Sequence, residues 1–294
     1  MAKKRLAVDW EREVRKEDFS LALKHYNRYL HDNGLSESTI ASYVFRVEKF
    51  LEFSQEDAPQ EDKFLKFREI LHEKKLSRSS INNYCFAIKK YYEMQGKSIN
   101  FNFIRPMNTI PHFFDENDIN KIFSVCHNLK HLAMLQTLFY GCLRASELCS
   151  LDDCDLDLKS LSLRVEGKGA KEAMVYITDD CAKTLRRYLE VRPPLEIGSR
   201  KPLFYTDFGG RWERRSVYRM FMHYKKLAGI EKNGGVHVFS RHSVGSLLIK
   251  RGCDIVTIKE LMRHSDVHTT MRYLHISDAT KREKYERFLG NSCF

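Results

Sequence analysis

Residues 237–277 read HVFSRHSVGSLLIKRGCDIVTIKELMRHSDVHTTMRYLHIS, and this stretch decides the fold of the second half of the chain. Apolar residues recur in it at helical spacing, and the pattern breaks at Gly252 and again after His264. We therefore predict short helices separated by tight turns. Such turns can fold Arg241, His264 and Tyr273, which lie far apart along the chain, onto one spot.

An arginine, a histidine and a tyrosine that converge suggest a phosphate clamp beside an oxygen nucleophile. The planar fork of arginine bridges two phosphate oxygens, but a phenol with a reference pKa near 10 is a weak nucleophile without help. Nearby cations would supply that help and offset charge on the phosphorus. Simpler roles stay open: His264 ends a helical pattern, where a cation favours the helix dipole, and a lone histidine such as His237 is more often structural.

Arg144 follows a helix break at Gly141, in the sequence GCLRASEL. An ion pair with Glu147, one helical turn away, would be a sufficient reason for an arginine on a surface. The neighbouring residues are apolar, however, and a partly buried arginine there is also a candidate phosphate ligand.

Lys168 lies in the turn Gly167–Lys171, between two strand-like runs, SLSLRVE and AMVYIT, that predict a β-hairpin. A lysine at the tip of this turn can donate a proton to a leaving alkoxide. Most turn lysines are simply solvated, and Lys171 is a rival for any role that Lys168 has.

The composition fits a two-domain protein that binds a polyanion. The chain has 294 residues and a net charge of +11, and the basic excess is spread over both halves; a basic protein without such a partner is the alternative. Neither a bilayer-length apolar run nor a secretory signal is evident, so we expect a cytoplasmic protein. Eight cysteines without a CxxC pair predict reduced thiols and no metal site, and we expect no cofactor.

The N-terminal half reads as a compact four-helix unit. We predict a flexible N-terminus at 1–17, a helical domain at 18–100, a linker at 101–111 and a second, mostly helical domain with a small antiparallel sheet at 112–294. The helix that starts at Leu35-Ser36 is echoed, 41 residues later, by the one that starts at Leu76-Ser77. Serine-rich helix starts and nearby basic residues could hold DNA phosphates; ordinary capping and solvated lysines are the alternative. These candidates are Ser36, Arg46, Lys49, Ser77, Lys89, Lys90 and Lys171.

Three stretches, GCLRASELCSLDDCDLD, VEGKGAKEAMVYI and RHSVGSLLIKRGCDIVTIKELMRHSDVHTTMRYLHIS, resemble in order and spacing the active-site boxes of the tyrosine recombinase (phage integrase) family, in its Xer-like form. The segment Leu35–Tyr92 resembles the SAM-like core-binding domain of that family. The resemblance implies the tyrosine recombinase catalytic fold and site-specific cutting and rejoining of DNA through a 3′-phosphotyrosyl intermediate. The resemblance implies that this reaction needs neither a metal ion nor ATP.

The resemblance also implies a role for each matching residue. Arg144 and Arg241 would hold the scissile phosphate, and His264 would hydrogen-bond to it. Lys168 would protonate the departing 5′ oxygen, and Tyr273 would attack. Members of the family act as homotetramers on two double-stranded DNA sites, so we expect a monomer or dimer off DNA. Accessory DNA-bending proteins are compatible with this scheme, and a C-terminal helix, predicted near Lys281–Phe288, would dock on a neighbouring subunit.

Two departures from the family pattern affect the site. The family usually has a histidine three residues before its second arginine, where this chain has Val238; a one-residue bulge would bring His237 into place, or the base role lies elsewhere. Arg263 replaces the glycine that usually precedes His264. Two rival functions therefore stay open: a type IB-like topoisomerase, which shares the chemistry, and a DNA-binding protein that has lost catalysis.

Overall fold

The computed structural model describes residues 10–105, 112–167, 172–264, 266–273 and 285–286. The chain forms two compact units, Met1–Asn108 and Thr109–Phe294. None of the helices in the described ranges combines the length and the apolar composition needed to cross a membrane. The predicted mainly helical fold with a small antiparallel sheet is confirmed.

Within residues 10–105, the N-terminal unit contains four helices: α1 (Trp10–Asp32), α2 (Glu37–Ser54), α3 (Glu61–Glu73) and α4 (Arg78–Met94). Each helix turns an apolar stripe toward a shared core. At the centre of that core, Tyr26 meets Tyr91 edge to face with ring centroids 5.3 Å apart. The Tyr26 hydroxyl donates a hydrogen bond to the Ala87 carbonyl at 2.6 Å, so the buried phenol is satisfied.

The first helix corrects one prediction. It begins at Trp10 rather than Asp18, so part of the segment 1–17 that we predicted to be flexible is helical. This part of the sequence lacks glycine and proline, which disfavour helices. Charge density alone was therefore a poor reason to predict a loose segment.

The C-terminal unit is built from eight α-helices and three strands within the described residues. The helices are α5 (Glu116–Ser124), α6 (Leu129–Tyr140), α7 (Ala145–Ser150), α8 (Asp179–Val191), α9 (Arg214–Leu227), α10 (Ser243–Lys250), α11 (Ile255–Leu261) and α12 (Val267–Met271). A 3₁₀ turn at Asp153–Asp155 and a π-helical turn at Val238–His242 complete the helical segments. The predicted breaks after Tyr140, at Gly252 and after His264 separate these helices. The predicted helix at Lys281–Phe288 lies outside the described residues except for Tyr285 and Glu286.

The sheet has the order β1 (Leu156–Asp157), β2 (Ser162–Glu166), β3 (Glu172–Tyr176), all antiparallel. The hairpin of β2 and β3 is the predicted one, whereas the two-residue strand β1 was not predicted. Leu163 pairs with Val175 across the hairpin, and both side chains enter the core beneath the sheet. The next residue along β2 faces outward, as the two-residue period of a strand requires.

Candidate active site

A π-helical turn, Val238–His242, positions Arg241 and leads directly into α10. The N–H of Ser243 donates to the carbonyl of Val238, five residues back, where an α-helix would use four. The fully buried ring of Phe239 anchors this turn in the core. A π-turn holds one more residue than an α-turn, and such turns often occur at functional sites.

The extra residue accounts for the irregular spacing between His237 and Arg241. These residues are four positions apart, one more than in the family pattern, and the π-turn takes up the difference. The local irregularity is therefore a π-turn, and the role of His237 as the base stays a prediction. Burial lowers the pKa of His237, and the charges of Arg241 and Arg144 lower it further, so this imidazole lies beside both arginines.

Arg241 is the most deeply placed cation of the site, with 1% of its surface exposed. Its Nη1 donates to the Cys142 carbonyl at 2.9 Å, and its Nη2 donates to the Met262 carbonyl. Burial lowers its pKa to about 10, with the positive charge of Arg144 as the next cause. The guanidinium therefore stays charged at neutral pH and is held rigidly by two backbone oxygens.

Arg144 stands at the N-cap of α7, next to a buried carboxylate. Its Nη1 lies 2.5 Å from Oε1 of Glu147, and its backbone N–H donates to Oε2 of the same residue at 2.9 Å. The arginine side chain is 37% exposed, whereas that of Glu147 is 3% exposed. The local ion pair exists, as the simpler interpretation held, but it orients a guanidinium that keeps an open face.

Arg263 adds a third guanidinium to the site, and it is the second one beside this carboxylate. Its Nη2 lies 2.6 Å from Oε2 of Glu147 and 3.3 Å from the Cys142 carbonyl. The backbone φ of Arg263 is +52°, the left-handed conformation that favours glycine. The N–H of Arg263 bonds to the Glu260 carbonyl and that of His264 to Lys259, which is the Schellman ending of α11. A glycine is expected at such a position, so this arginine occupies it at a conformational cost.

The Schellman turn directs His264 into the site. The Nδ1 of His264 lies 2.9 Å from the hydroxyl of the fully buried Thr270. Burial lowers the pKa of His264 to about 4, and the charges of Arg241 and Arg144 act in the same direction. The ring is therefore neutral at pH 7, which makes the idea of a helix-dipole cation wrong and leaves a hydrogen-bonding role.

Tyr273 follows α12 and is 1% exposed. Its ring packs against Ile258 and Met262 and lies roughly parallel to the His264 ring, with centroids 6.5 Å apart. Burial raises the pKa of Tyr273, and the charge of Arg241 is the largest cause that opposes this. The phenol therefore lies within the electrostatic reach of the arginine that the sequence paired with it.

One residue of the site was missed by reasoning from the sequence. His242 contacts the Tyr273 hydroxyl through its Nδ1 at 2.9 Å, and its ring stands perpendicular to that of His237 at 4.9 Å. Its position directly after Arg241 gave no signal, because the contact spans 31 residues of chain. The structure thus gathers Arg144, His237, Arg241, His264 and Tyr273. Lys168 and Lys171 lie outside the described residues, so their roles stay predictions.

The two serine-rich helix starts in the N-terminal unit are capped differently. The Oγ of Ser77 accepts the N–H of Ser80 at 3.1 Å at the start of α4. Ser36 occupies the same position before α2, but its Oγ bonds to the hydroxyl of Thr39 at 2.9 Å instead of to a backbone N–H. The repeated sequence pattern therefore marks two helix starts, but only Ser77 caps its helix through the side chain.

The predicted basic DNA-binding residues of α2 and α4 are Arg46, Lys49, Lys89 and Lys90. Lys49 and Lys90 each lie 2.7 Å from a glutamate three residues on, Glu52 and Glu93 respectively. Arg46 donates to Ser42 and lies over the Tyr84 ring. Partly exposed lysine pairs of this kind contribute little stability and exchange readily for a phosphate partner.

Two family profiles together cover most of the chain. The profile of the Phage integrase family matches residues 112–280, and that of Phage integrase, N-terminal SAM-like domain, matches residues 23–95. The first profile alone covers more than half of the 294 residues. The chain therefore belongs to the phage integrase family.

Among curated relatives, tyrosine recombinase XerC of Thermodesulfovibrio yellowstonii is 34% identical over 160 residues, covering 53% of each chain. XerC of Staphylococcus carnosus is 30% identical over 184 residues, covering 60% of this chain and 61% of the relative. The matches thus span about half to three fifths of the relatives' length.

Solved structures share the fold at low sequence identity. The Tn1549 transposon integrase in complex with transposon right end DNA has a TM-score of 0.71 at 18% identity, covering 90% of this chain and 98% of that one. XerH site-specific recombinase bound to a palindromic difH substrate has a TM-score of 0.68 at 19% identity, covering 84% of this chain and 79% of that one. At these identities the likeness establishes the architecture.

Proposed function

We propose that the chain is a site-specific DNA recombinase or integrase that cuts and rejoins double-stranded DNA through a 3′-phosphotyrosyl intermediate. The observation that carries this proposal is the placement of Tyr273 beside Arg241 and His264 in one buried site. Membership of the phage integrase family and the DNA complexes of proteins that share the fold support it.

In the proposed mechanism, the two arginines hold the scissile phosphate. Arg241 is fixed by backbone carbonyls, and Arg144 is oriented by Glu147, so both guanidinium groups are preorganised before DNA arrives. The neutral ring of His264 would donate a hydrogen bond to a phosphate oxygen. These contacts strengthen as negative charge builds on five-coordinate phosphorus, which makes them catalytic rather than only binding contacts.

The bond changes are a transfer between two oxygens. The oxygen of Tyr273 forms a bond to phosphorus while the bond to the 5′ oxygen breaks, and Lys168 would protonate that leaving oxygen. The phosphotyrosyl bond conserves the energy of the cut strand, and a 5′ hydroxyl of a second strand reverses the step. This scheme consumes no ATP and routes no step through a metal ion.

The two units would have different roles in the reaction. We assign the core DNA-binding role to residues 18–100 and the catalytic role to residues 112–294, joined by the linker at 101–111. Ser36, Ser77 and the basic side chains of α2 and α4 would contact the DNA backbone, and Lys171 would add a contact near the hairpin turn. We infer that the active assembly is a homotetramer on two DNA sites.

A nicked suicide duplex tests this proposal, after the preferred DNA has been selected by binding from a genomic fragment library. Such a duplex loses its 5′-hydroxyl fragment after cleavage, so a covalent adduct accumulates. We expect an SDS-resistant protein–DNA band with the wild-type chain and none with Tyr273→Phe, at similar DNA affinity. Tight binding without any adduct would contradict the proposal and favour a protein that only binds DNA.

Strand exchange between two duplexes separates a recombinase from a topoisomerase of the same chemistry. We expect recombinant joints when two labelled duplexes with the selected site are mixed. Relaxation of a supercoiled plasmid without any recombinant joint would favour the topoisomerase alternative instead.

A further inference from the structure

His242 makes a direct contact with the nucleophilic atom of the proposed reaction. Its Nδ1 lies 2.9 Å from the Tyr273 hydroxyl; Tyr273 is buried and His242 is partly buried. The ring centroids are 5.7 Å apart with a 59° angle between planes, so the contact is made through the nitrogen rather than by stacking. None of the roles assigned above uses this histidine.

The π-turn that positions Arg241 also fixes His242. His242 is the last residue of that turn, and the ring of His237 stands perpendicular to it at 4.9 Å. The two imidazoles are therefore adjacent, but it is His242 that contacts the Tyr273 oxygen. The candidate for the family's histidine role, His237, is therefore a different residue from His242, which contacts the nucleophile.

We propose that His242 is the base that accepts the hydroxyl proton of Tyr273 when this residue attacks the scissile phosphate. The proposal rests on the proposed function and deepens it. The irregular position of His237 left the base role open. The contact of His242 with the Tyr273 hydroxyl assigns this role to His242.

The step is balanced without any further reactant. The O–H bond of Tyr273 breaks, its proton moves to Nδ1 of His242, and the phenolate oxygen bonds to phosphorus as the 5′ oxygen leaves. On rejoining, a 5′ hydroxyl displaces the tyrosine oxygen, which takes the proton back from Nδ1. His242 therefore returns to its starting state after each pair of transfers.

This role requires the tautomer of His242 that carries its proton on Nε2. The pKa of His242 is lowered to about 4. Burial is the largest cause, and the charges of His237, Arg272 and Arg241 lower the pKa further. The ring is therefore neutral and free to accept at pH 7. A bound phosphate brings negative charge beside the ring, which raises the pKa of the imidazole and strengthens it as a base during the reaction.

A second histidine–tyrosine pair in the same unit supplies a matched control. The Nδ1 of His131 lies 2.9 Å from the Tyr224 hydroxyl, and burial lowers the pKa of His131 as well. The ring of His131 packs against that of Trp212, with centroids 5.5 Å apart. No arginine is among the groups that shift the pKa of His131. This pair represents a purely structural contact of the same geometry.

The test compares single-turnover cleavage of the nicked suicide duplex by four chains: wild type, H242N, H242F and H131N. The amide oxygen of H242N can accept the tyrosine hydrogen bond but cannot take the proton. We expect both His242 variants to cleave about 100-fold or more slowly at unchanged DNA affinity, and H131N to cleave at the wild-type rate.

Wild-type cleavage by H242N would overturn the proposal and leave His242 as a positioning residue. An equal loss in H131N would also overturn it, because the effect would then be one of packing. Absence of any adduct with the wild-type chain would instead contradict the proposed function, and this proposal would fail with it. These failures are distinguishable in one experiment.

A spectroscopic measurement keeps the proposal testable if the His242 variants do not fold. The wild-type chain labelled with ¹⁵N-histidine reports the protonation of each ring nitrogen by its chemical shift. We expect the His242 ring at pH 7 to be neutral with an unprotonated Nδ1. A proton on Nδ1 would make His242 a donor to the tyrosine and would overturn the proposal.

Discussion

Arg263 reaches across the site to Glu147: its Nη2 lies 2.6 Å from Oε2, although the two residues are 116 positions apart. The other oxygen of this carboxylate binds Arg144 at 2.5 Å. One buried negative charge is therefore shared by two guanidinium groups. Compared with a family site that has glycine before His264, this site carries one additional positive charge, which favours an anionic phosphate.

Replacing Arg263 separates the effect of this charge from that of the backbone. R263M removes the ion pair but keeps a side chain at φ +52°, whereas R263G removes both. We expect R263M to lower the free energy of unfolding by about 1–3 kcal/mol, since a buried carboxylate loses a partner. R263G should lose roughly 1 kcal/mol less, because glycine accepts this conformation without strain. Urea unfolding measures both values.

Lys75 is the matched control for the backbone effect. It occupies the same kind of helix ending after α3, with φ +54°, and its side chain is exposed. K75G should therefore stabilise the chain by up to about 1 kcal/mol. If R263G proves less stable than R263M while K75G behaves as expected, the explanation of Arg263 is wrong.

Gly245 is expected to be required for the position of the nucleophile. A Cβ at this residue of α10 would come within 3.0 Å of Cε2 of Tyr273 and 3.0 Å of Cε of Met262. G245A would therefore displace the tyrosine ring or the Met262 side chain by a few tenths of an ångström. We expect cleavage at least about tenfold slower at unchanged DNA affinity, because small displacements of reacting groups cost large factors in rate.

Gly210 provides the comparison for Gly245. A Cβ there would lie 3.7 Å from the Oγ1 of Thr206, an ordinary contact. G210A should cleave DNA at the wild-type rate. Equal activity of G245A and G210A would show that the tyrosine position tolerates the displacement.

Stability should fall on mild acidification because of two partly buried histidines. The pKa of His242 and that of His264 are both about 4 in the fold, against roughly 6.5 in the unfolded chain. Between these values the unfolded chain binds more protons, so the free energy of unfolding rises with pH up to about 6.5 and levels off above it. Each histidine adds at most about 1.4 kcal/mol per pH unit, and partial solvent exposure reduces this.

The measurement is urea unfolding at about pH 5 and about pH 7.5. H264N should show a smaller difference between the two pH values than the wild type, although its stability at the higher pH also drops through loss of the bond to Thr270. An unchanged difference would mean that His264 does not titrate as its burial predicts.

The two capping serines should differ in their contribution to stability. Ser77 accepts a backbone N–H of α4, so S77A is expected to cost about 1 kcal/mol of unfolding free energy. Ser36 makes no such bond, and S36A should cost clearly less. If both variants instead lose DNA affinity at unchanged stability, the serines act through phosphate contacts alone.

Local patterns in the sequence predicted most of the fold. Asp115 stands directly before the helical pattern of α5, as an N-cap residue does, and its side chain accepts the N–H of Asp118 at 2.9 Å. The hairpin and the breaks at Gly141 and Gly252 were also visible, because glycine and strand alternation act over a few residues. The two-residue strand β1 carries no such periodic signal, and it forms only because β2 is beside it.

The contacts that complete the site could not be predicted in the same way. The bond of His242 to Tyr273 and that of Arg263 to Glu147 join residues 31 and 116 positions apart, and they depend on how several helices pack. The unusual spacing of His237 did indicate a local irregularity. In the structure this irregularity is a π-turn, and the side chain of Phe239 packs it against the core. Local sequence preferences do not predict such a turn.

The most direct test of the account is to identify the atom that carries the DNA. The wild-type chain is trapped on the suicide duplex, digested with nuclease and protease, and analysed by mass spectrometry. We expect the nucleotide remnant on the peptide that contains Tyr273, linked through a 3′ phosphate, and no remnant in Y273F. A remnant on any other residue, or a 5′ phosphate linkage, would contradict the central claim.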